Sequence, residues 1–183
     1  MTDALNNMLT RVSTPKLSEP VPSLQELQTM FKCAIRAPDH GRLKPWRFVV
    51  LEKGALRELG DAFAQTLEGG DEIKRDRLRA KPLRAPMIVV VVAKLDPEHN
   101  KIPLWEQQVA AGIAAQHIQL AAHHQGFGCM WRTGSITEAP QVRQYLSLAE
   151  TEQIIGFLYL GTPVGEPRQA EQQDLADIVE YRS

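Results

Sequence analysis

The chain has 183 residues, of which 43% are hydrophobic and 23% charged, the composition of a globular protein with a core of its own. A formal net charge of −1 gives no electrostatic case for binding nucleic acid or a membrane surface. The longest strongly apolar run, 87–93, is too short to cross a bilayer, and the N-terminus lacks the basic start of a signal peptide. We therefore expect a single cytoplasmic domain over residues 1–183.

The N-terminal half is predicted to form two helices before its first strand. Leu5, Met8 and Leu9 have helical spacing within 3–11. Ser23 and Glu26 form a capping-box pattern that begins a second helix, which runs to about residue 36 and stops before a proline. The remaining elements of this half are a strand at 48–51, a helix at 55–67, and a charged segment at 71–82 that is either an exposed helix or a mobile excursion.

In the C-terminal half, residues 86–93 form a β-branched run typical of a central strand buried on both faces. An alanine-rich helix is predicted at 105–125, followed by Gly126 in the position of a C-terminal capping glycine. Such a helix is buried, either in one core or between two subunits. Strands at 128–131 and 154–160, a helix near 140–146 and a polar segment at 162–183 complete the chain. Because strands and helices do not alternate regularly, we expect an α+β layered fold.

The two cysteines, Cys33 and Cys129, are far apart and form no CxxC pattern. Two cysteines alone cannot make a structural zinc site, and a disulfide framework is not expected at this chain length. We expect both to be small buried hydrophobic side chains in a reducing compartment.

The connection at 36–48 carries four cationic side chains, a histidine and a tryptophan. Pro38 and Pro45 fix the φ angle at two points, and Gly41 permits a positive φ between them. A rigid, charged connection is a frequent place for binding residues. Composition alone is equally compatible with an ordinary basic surface loop. Within it, Arg36 and His40 could converge on one ligand, or could be a helix-terminal arginine and an exposed histidine.

Two further segments could bind a ligand. Arg11 and Ser13 offer a guanidinium and a hydroxyl, which suit a phosphate and a polyol, although such short patterns are common. The run 131–134, Trp-Arg-Thr-Gly, follows a predicted strand, which is a typical ligand position in layered α/β structures. A solvated strand end is the alternative interpretation of that run.

Other patterns carry no functional signal. Gly126 and Gly128 lack the third glycine of a dinucleotide-binding fingerprint and follow a helix. Three histidines lie in the long helix: His117, His123 and His124. None belongs to an HExxH pattern, so no metal site is expected.

The 36–48 loop resembles the Ala-Pro-Ser-x-x-Asn-x-Gln-Pro-Trp-x-Phe signature of the FMN-dependent nitroreductase family. It is most similar to the small single-domain YdjA-like branch, with Arg-Ala-Pro-Asp-His at 36–40 and Pro-Trp-Arg-Phe at 45–48. Residues 102–108 resemble the Val-Pro-x-Trp-Glu-Gln stretch of the same branch. The resemblance extends from about residue 9 to 162.

The resemblance implies a three-layer nitroreductase-like fold, with a mixed, mainly antiparallel sheet flanked by helices. It also implies an intertwined homodimer that holds FMN at the subunit interface, beside the long helix. The implied cofactor-binding residues are Arg11, Val12, Ser13, Arg36, His40, Trp131, Arg132, Thr133 and Gly134. Val12 departs from the arginine of the family pattern, so only its backbone is expected to contribute. Arg168 is a candidate for a late phosphate contact, and Lys44 has no assigned role.

The activity implied by the resemblance is hydride transfer from NAD(P)H through FMN to a small acceptor such as a nitroaromatic or a quinone. A non-redox FMN carrier or storage protein on the same fold is the main alternative. A flavin-free protein that uses the basic loop to bind a partner or a small anion, and a reaction that consumes FMN itself, also remain open. The sequence assigns no catalytic residue, no physiological acceptor and no preference between NADH and NADPH.

Overall fold

The computed structural model describes residues 3–166, 168–171 and 173–182. Its helices are α1 (Asp3–Thr10), α2 (Leu24–Ala34), α3 (Gly54–Ala64), α4 (Glu72–Arg79), α5 (Leu104–His124) and α6 (Pro140–Tyr145). Its strands are β1 (Leu17–Ser18), β2 (Arg47–Glu52), β3 (Met87–Lys94), β4 (Gly128–Arg132) and β5 (Glu152–Pro163).

The strands form one five-stranded sheet in the order β1-β5-β3-β2, with β4 also paired to β5. Every strand pair in the described ranges is antiparallel, and Ser13 adds an isolated parallel bridge to Cys129. Strand β5 is the common partner, because its twelve residues pair with β3, β4 and β1. The expected α+β class with a mainly antiparallel sheet is confirmed.

Helices cover both faces of this sheet, because β3 is apolar on both sides. Met87, Val89 and Val91 point into a core formed with α2 and α5. The alternate residues Ile88 and Val90 point into a second core with α3 and α6. All of β3 up to Ala93 has no exposed surface, as its continuous β-branched sequence predicts. The result is a helix–sheet–helix arrangement of three layers.

Helix α2 begins with the predicted capping box. The Ser23 backbone N–H donates to Glu26 Oε2 at 2.7 Å, and the Glu26 N–H donates to the Ser23 hydroxyl at 3.4 Å. The helix buries Leu27, Met30 and Ala34 on its inner face. Cys33 lies outside that face and is exposed, so its predicted burial is wrong. Cys129 is buried as expected, and this burial raises the pKa of its thiol to about 12.

The alanine-rich surface of α5 lies in the core of its own chain. The buried alanines are Ala110, Ala111, Ala114, Ala115 and Ala122. Small side chains let α5 approach α2 and the sheet closely, which settles the question of core or interface in favour of the core for these positions. Gly126 follows with a φ of 84°, the left-handed conformation of a capping glycine.

Two details differ from the sequence-based expectations, and one open alternative is decided. Helix α3 ends at Ala64, because the amides after Gln65 make i→i−3 bonds, such as Thr66 N–H to the Phe63 carbonyl at 3.2 Å. The charged segment does form a helix, α4, which is capped by the Asp71 carboxylate. Strand β1 was not predicted, because two residues are too few to show an alternating pattern.

Replacing Gly156 by alanine should destabilise the fold by roughly 1–3 kcal/mol, the usual cost of overpacking a core. A Cβ atom at this position of β5 would overlap the indole ring of Trp131. Gly54→Ala is the matched control, because a Cβ there meets nothing within 4 Å. Urea unfolding should give a lower midpoint for the first variant only, and equal midpoints would contradict the packing of Trp131 on β5.

Candidate functional site

The connection between α2 and β2 is held in one conformation by its own hydrogen bonds. The Asp39 carboxylate accepts the backbone N–H groups of Leu43, at 3.1 Å, and Lys44, at 2.8 Å. Gly41, Arg42 and Lys44 all have positive φ angles, of 72°, 57° and 50°. Left-handed backbone at two non-glycine residues is strained and persists only where the surroundings enforce it. The loop is therefore a constrained element, as the paired prolines predict.

Both ends of this loop are tied to other parts of the fold. Nδ1 of His40 lies 2.7 Å from Oε2 of Glu106, in the first turn of α5. At the far end, the Arg47 guanidinium donates to both oxygens of Glu152, at 2.6 and 2.8 Å. The hydrogen bonds from Arg47 hold the pKa of the Glu152 carboxyl below its usual value, against the effect of partial burial.

Arg36, two residues after the end of α2, lines an open groove of about 460 Å³. The groove is formed by α1, α2 and α5 and is lined mostly by apolar atoms, including those of Met8, Leu120 and Ala121. Helix α1 buries no residue, and it is held to α5 by polar contacts such as Asn7 Nδ2 to the Leu120 carbonyl at 3.0 Å. The apolar side of α1 is consequently left facing this groove and solvent.

The segment 11–14 runs along the outer edge of β4, where the Thr14 N–H donates to the Cys129 carbonyl at 3.0 Å. Val12 and Ser13 line a cavity of about 470 Å³, whose wall also includes Lys16 and Arg168. Glu166 adds one carboxylate to the wall, so the cations exceed the anions by one. Together with the Ser13 hydroxyl, these cations suit a phosphate-bearing ligand. Arg168, the predicted late phosphate contact, thus lines the same cavity as Ser13.

His123 also lines this cavity, and its Nε2 lies 3.0 Å from the Thr10 hydroxyl. Partial burial lowers the pKa of His123, and the nearby positive charge of Arg11 lowers it further. The histidine is therefore favoured in its neutral form, in which it adds no positive charge to this wall.

The side chains of Trp131 and Arg132 extend to opposite faces of the sheet. Trp131 packs on the α2–α5 side, and its Nε1 donates to the Ile155 carbonyl at 3.4 Å. Arg132 lies on the other side, with its guanidinium carbon 5.3 Å from the centre of the Tyr159 ring. Gly134, with a φ of 115°, turns the chain immediately after the strand.

Arg132 and Thr133 line a small cavity of about 120 Å³ together with Lys81 and Arg84. No carboxylate lines this cavity within the described ranges, and the buried Nε of Arg132 has no hydrogen-bond partner there. Burial raises the pKa of the adjacent Tyr159 hydroxyl, an effect that the charges of Arg132 and Arg84 oppose. Three cations and an unpaired guanidinium N–H fit an anionic or electron-rich ligand group.

Lys81 and Arg84 were missed at the sequence level. They lie in the charged region before β3, in and next to a short 3₁₀ helix, Pro82–Arg84, that the sequence did not predict. The available signal was a pair of basic residues immediately preceding a buried strand. Nothing in that pattern indicated that they would meet Arg132, which is about 50 positions later in the chain.

Within one chain, the predicted cofactor residues are distributed over separate places. Val12 and Ser13 share the cavity with Lys16, whereas Arg132 and Thr133 share the smaller, cationic one. Arg36 lies on the groove beside α1, and the 65% exposed side chain of His40 lies at the start of α5. One protomer therefore does not assemble these residues around a common cavity.

Two classes of site find no counterpart among the residues that the structure describes. No cluster of three or more histidine, cysteine, aspartate or glutamate residues there could hold a metal ion. None of the helices in those ranges combines the length and hydropathy of a membrane span.

The chain is similar to proteins of one family along most of its length. Residues 9–162 match the family model described as "Nitroreductase family". The chain is 44% identical over 167 residues to "Putative NAD(P)H nitroreductase YdjA" of Escherichia coli (strain K12), covering 88% of each protein.

Solved structures agree on the fold. A nitroreductase-like family protein from Bacillus cereus superposes with a TM-score of 0.87 at 23% identity, covering 100% of this chain and 97% of the other. A nitroreductase with bound FMN from Bacteroides fragilis NCTC 9343 superposes with a TM-score of 0.80 at 20% identity over the full length of both chains. With the sequence match and the architecture in agreement, the chain belongs to the nitroreductase family.

Proposed function

We propose that this protein is an FMN-dependent oxidoreductase that takes a hydride from NAD(P)H and passes it to a small acceptor such as a nitroaromatic or a quinone. The observation that carries the proposal is the family match over residues 9–162, which includes the implied cofactor-binding residues from Arg11 to Gly134. The relative in E. coli is named as an NAD(P)H nitroreductase, and the B. fragilis structure contains FMN. Because NAD(P)H is an intracellular reductant, the proposal places the reaction in the cytoplasm.

The residues of this chain fit FMN. The FMN phosphate and ribityl chain would bind to Arg11, Ser13 and the backbone of Val12. The cavity beside this segment adds two further cations, Lys16 and Arg168. The unpaired Nε of Arg132, in a cavity with Lys81 and Arg84, suits the part of the flavin ring that becomes negative on reduction.

When bound, FMN supplies the redox chemistry, namely acceptance of a hydride and its delivery to the second substrate. The protein would bind the cofactor and stabilise charge. Arg132, Lys81 and Arg84 would lower the energy of the reduced, more negative state without moving, because preorganised cations require no reorganisation. Thr133 and Gly134 would line the ring beside them. No side chain is assigned as a proton donor.

A homodimer is part of the proposal, because it brings the separated residues together. Arg36 lies on the apolar groove beside α1, where Leu5, Met8 and Leu9 are each more than half exposed. An amphipathic helix with an exposed apolar side favours a further packing partner. In the proposed dimer, Arg36 and His40 of one chain complete the FMN site to which Ser13 and Arg132 of the other chain contribute. Each FMN would then contact both chains.

An absorbance spectrum and an anaerobic half-reaction test the function. Purified protein should carry flavin bands at about one FMN per chain, and stoichiometric NAD(P)H should bleach them, since bound FMN accepts the hydride. Adding a quinone or a nitroaromatic should restore the oxidised bands. Bands that persist with both nicotinamides would favour a flavin storage protein, and a colourless protein that binds no added FMN would contradict the proposal entirely.

Arg132→Ala should raise the FMN dissociation constant by about 10- to 100-fold, since a hydrogen bond to a charged group contributes roughly 1.5–3 kcal/mol. Arg77→Ala is the matched control, because Arg77 is exposed on α4 and lines neither FMN cavity. Fluorescence titration of flavin-free protein measures both constants. An unchanged constant in the Arg132 variant would remove this residue from the site.

Met8→Lys should convert the dimer to a monomer and weaken FMN retention at the same time. The Met8 side chain lines the groove and is 58% exposed in one chain, so a charge there would be buried without a partner in the dimer. Ile73→Lys on α4 is the control, because Ile73 is 70% exposed but lies outside the groove. Analytical sedimentation measures the oligomeric state of each variant, and flavin absorbance measures its FMN content. A Met8→Lys protein that stays a dimer with full FMN content would show that the interface lies elsewhere.

A further inference from the structure

His40 and Glu106 form a close pair between two elements that are distant in the sequence. The His40 Nδ1 and Glu106 Oε2 atoms are 2.7 Å apart, and the two residues are separated by 66 positions. The imidazole is 65% exposed, whereas the carboxylate is only 29% exposed. The stability contribution of so exposed a pair is small.

The pair determines which atom of the ring faces outward. An ionised carboxylate can only accept a hydrogen bond, so Nδ1 must carry the proton. In the neutral ring, Nε2 is then the unprotonated nitrogen, and it has no hydrogen-bond partner in the described part of the chain. The exposed edge of His40 is therefore an acceptor of defined direction, suited to an N–H or hydroxyl group of a ligand.

The backbone around the pair is arranged to keep it in place. Glu106 lies in the first turn of α5, and Ile102, just before that helix, packs against the loop at Gly41. A side chain at Gly41 would overlap Ile102, so the loop approaches the start of α5 as closely as glycine allows. The Asp39 carboxylate fixes the next turn through the amides of Leu43 and Lys44. The imidazole is thus held by a rigid support on both sides.

We propose that Glu106 is a positioning residue for the flavin site, which holds His40 in the Nδ1-protonated tautomer and directs Nε2 at an N–H or hydroxyl donor of FMN. The inference rests on the proposed FMN contact of His40. It adds a residue that does not itself touch the cofactor but controls one that does, as carboxylates behind ligating histidines do elsewhere. Glu106 acts in this way through orientation and proton placement, and no covalent step is involved.

A double-mutant cycle on the FMN dissociation constant tests whether Glu106 acts through His40. We expect Glu106→Ala to raise the constant about tenfold in the otherwise unchanged protein, and to have no further effect in a His40→Ala background. Glu106→Gln should recover most of the affinity, because its amide oxygen still accepts from Nδ1–H. A merely structural role would instead give additive losses, and additivity would overturn the inference.

Nitrogen-15 NMR of the flavin-free protein provides a readout independent of binding. In the neutral His40 ring, the proton should lie on Nδ1 in the wild type and in Glu106→Gln. Glu106→Ala should shift the ring toward the Nε2–H tautomer that free histidine prefers. The same tautomer of the neutral ring in all three proteins would contradict the proposed control.

The outcomes separate this inference from the proposed function. If the unmodified protein binds no FMN, the proposed function fails first. If it binds FMN and His40→Ala does not weaken binding, the function stands and the positioning role is overturned. If His40→Ala weakens binding and the losses at Glu106 are non-additive with it, both are supported.

Discussion

The structure depends on the pairing of two strands, β3 and β5, at the centre of the sheet. Strand β3 is fully buried on both faces, so its two sets of alternating side chains require a helical layer on each side. Strand β5 is the common partner that carries β4 and β1 beside it. The proposed binding residues lie where the chain enters or leaves these layers: before β1, after α2, before β3, at the end of β4 and after β5. The buried core is therefore the rigid frame on which the binding loops are held.

The long apolar elements could be predicted from the sequence because their patterns reflect burial directly. The β-branched run of β3 and the capping box of α2 are local signals, and the structure confirms both. Cys33 was predicted to be buried from its residue type, but its place on α2 depends on which side of that helix meets the sheet. The meeting of Lys81 and Arg84 with Arg132 depends on tertiary packing, which no local pattern records. The identities of the site residues stay a prediction from the sequence, and the sequence did not predict how the structure groups them into cavities.

The regions of the candidate site contain features that lower the stability of the fold. Three cations line one small cavity, although the whole chain has a net charge of −1. The loop after α2 keeps two non-glycine residues at positive φ, and Arg132 has a buried N–H without a partner among the described residues. Each feature costs stability by itself and is understandable if an anionic cofactor completes the site. The separation of Arg36 and His40 from Ser13 and Arg132 in one chain is explained in the same way, if a second chain completes the site.

The central claim, that each flavin contacts both chains, is tested most directly by a mixed dimer. One subunit would carry Arg36→Ala and the other Arg132→Ala, each with its own affinity tag, so that only the heterodimer is purified. In a site shared between chains, both defects fall in the same site and the other is intact, so the account predicts one tightly bound FMN per dimer. If each site lay within one chain, both sites would be defective, and a heterodimer with no tight FMN would contradict the account.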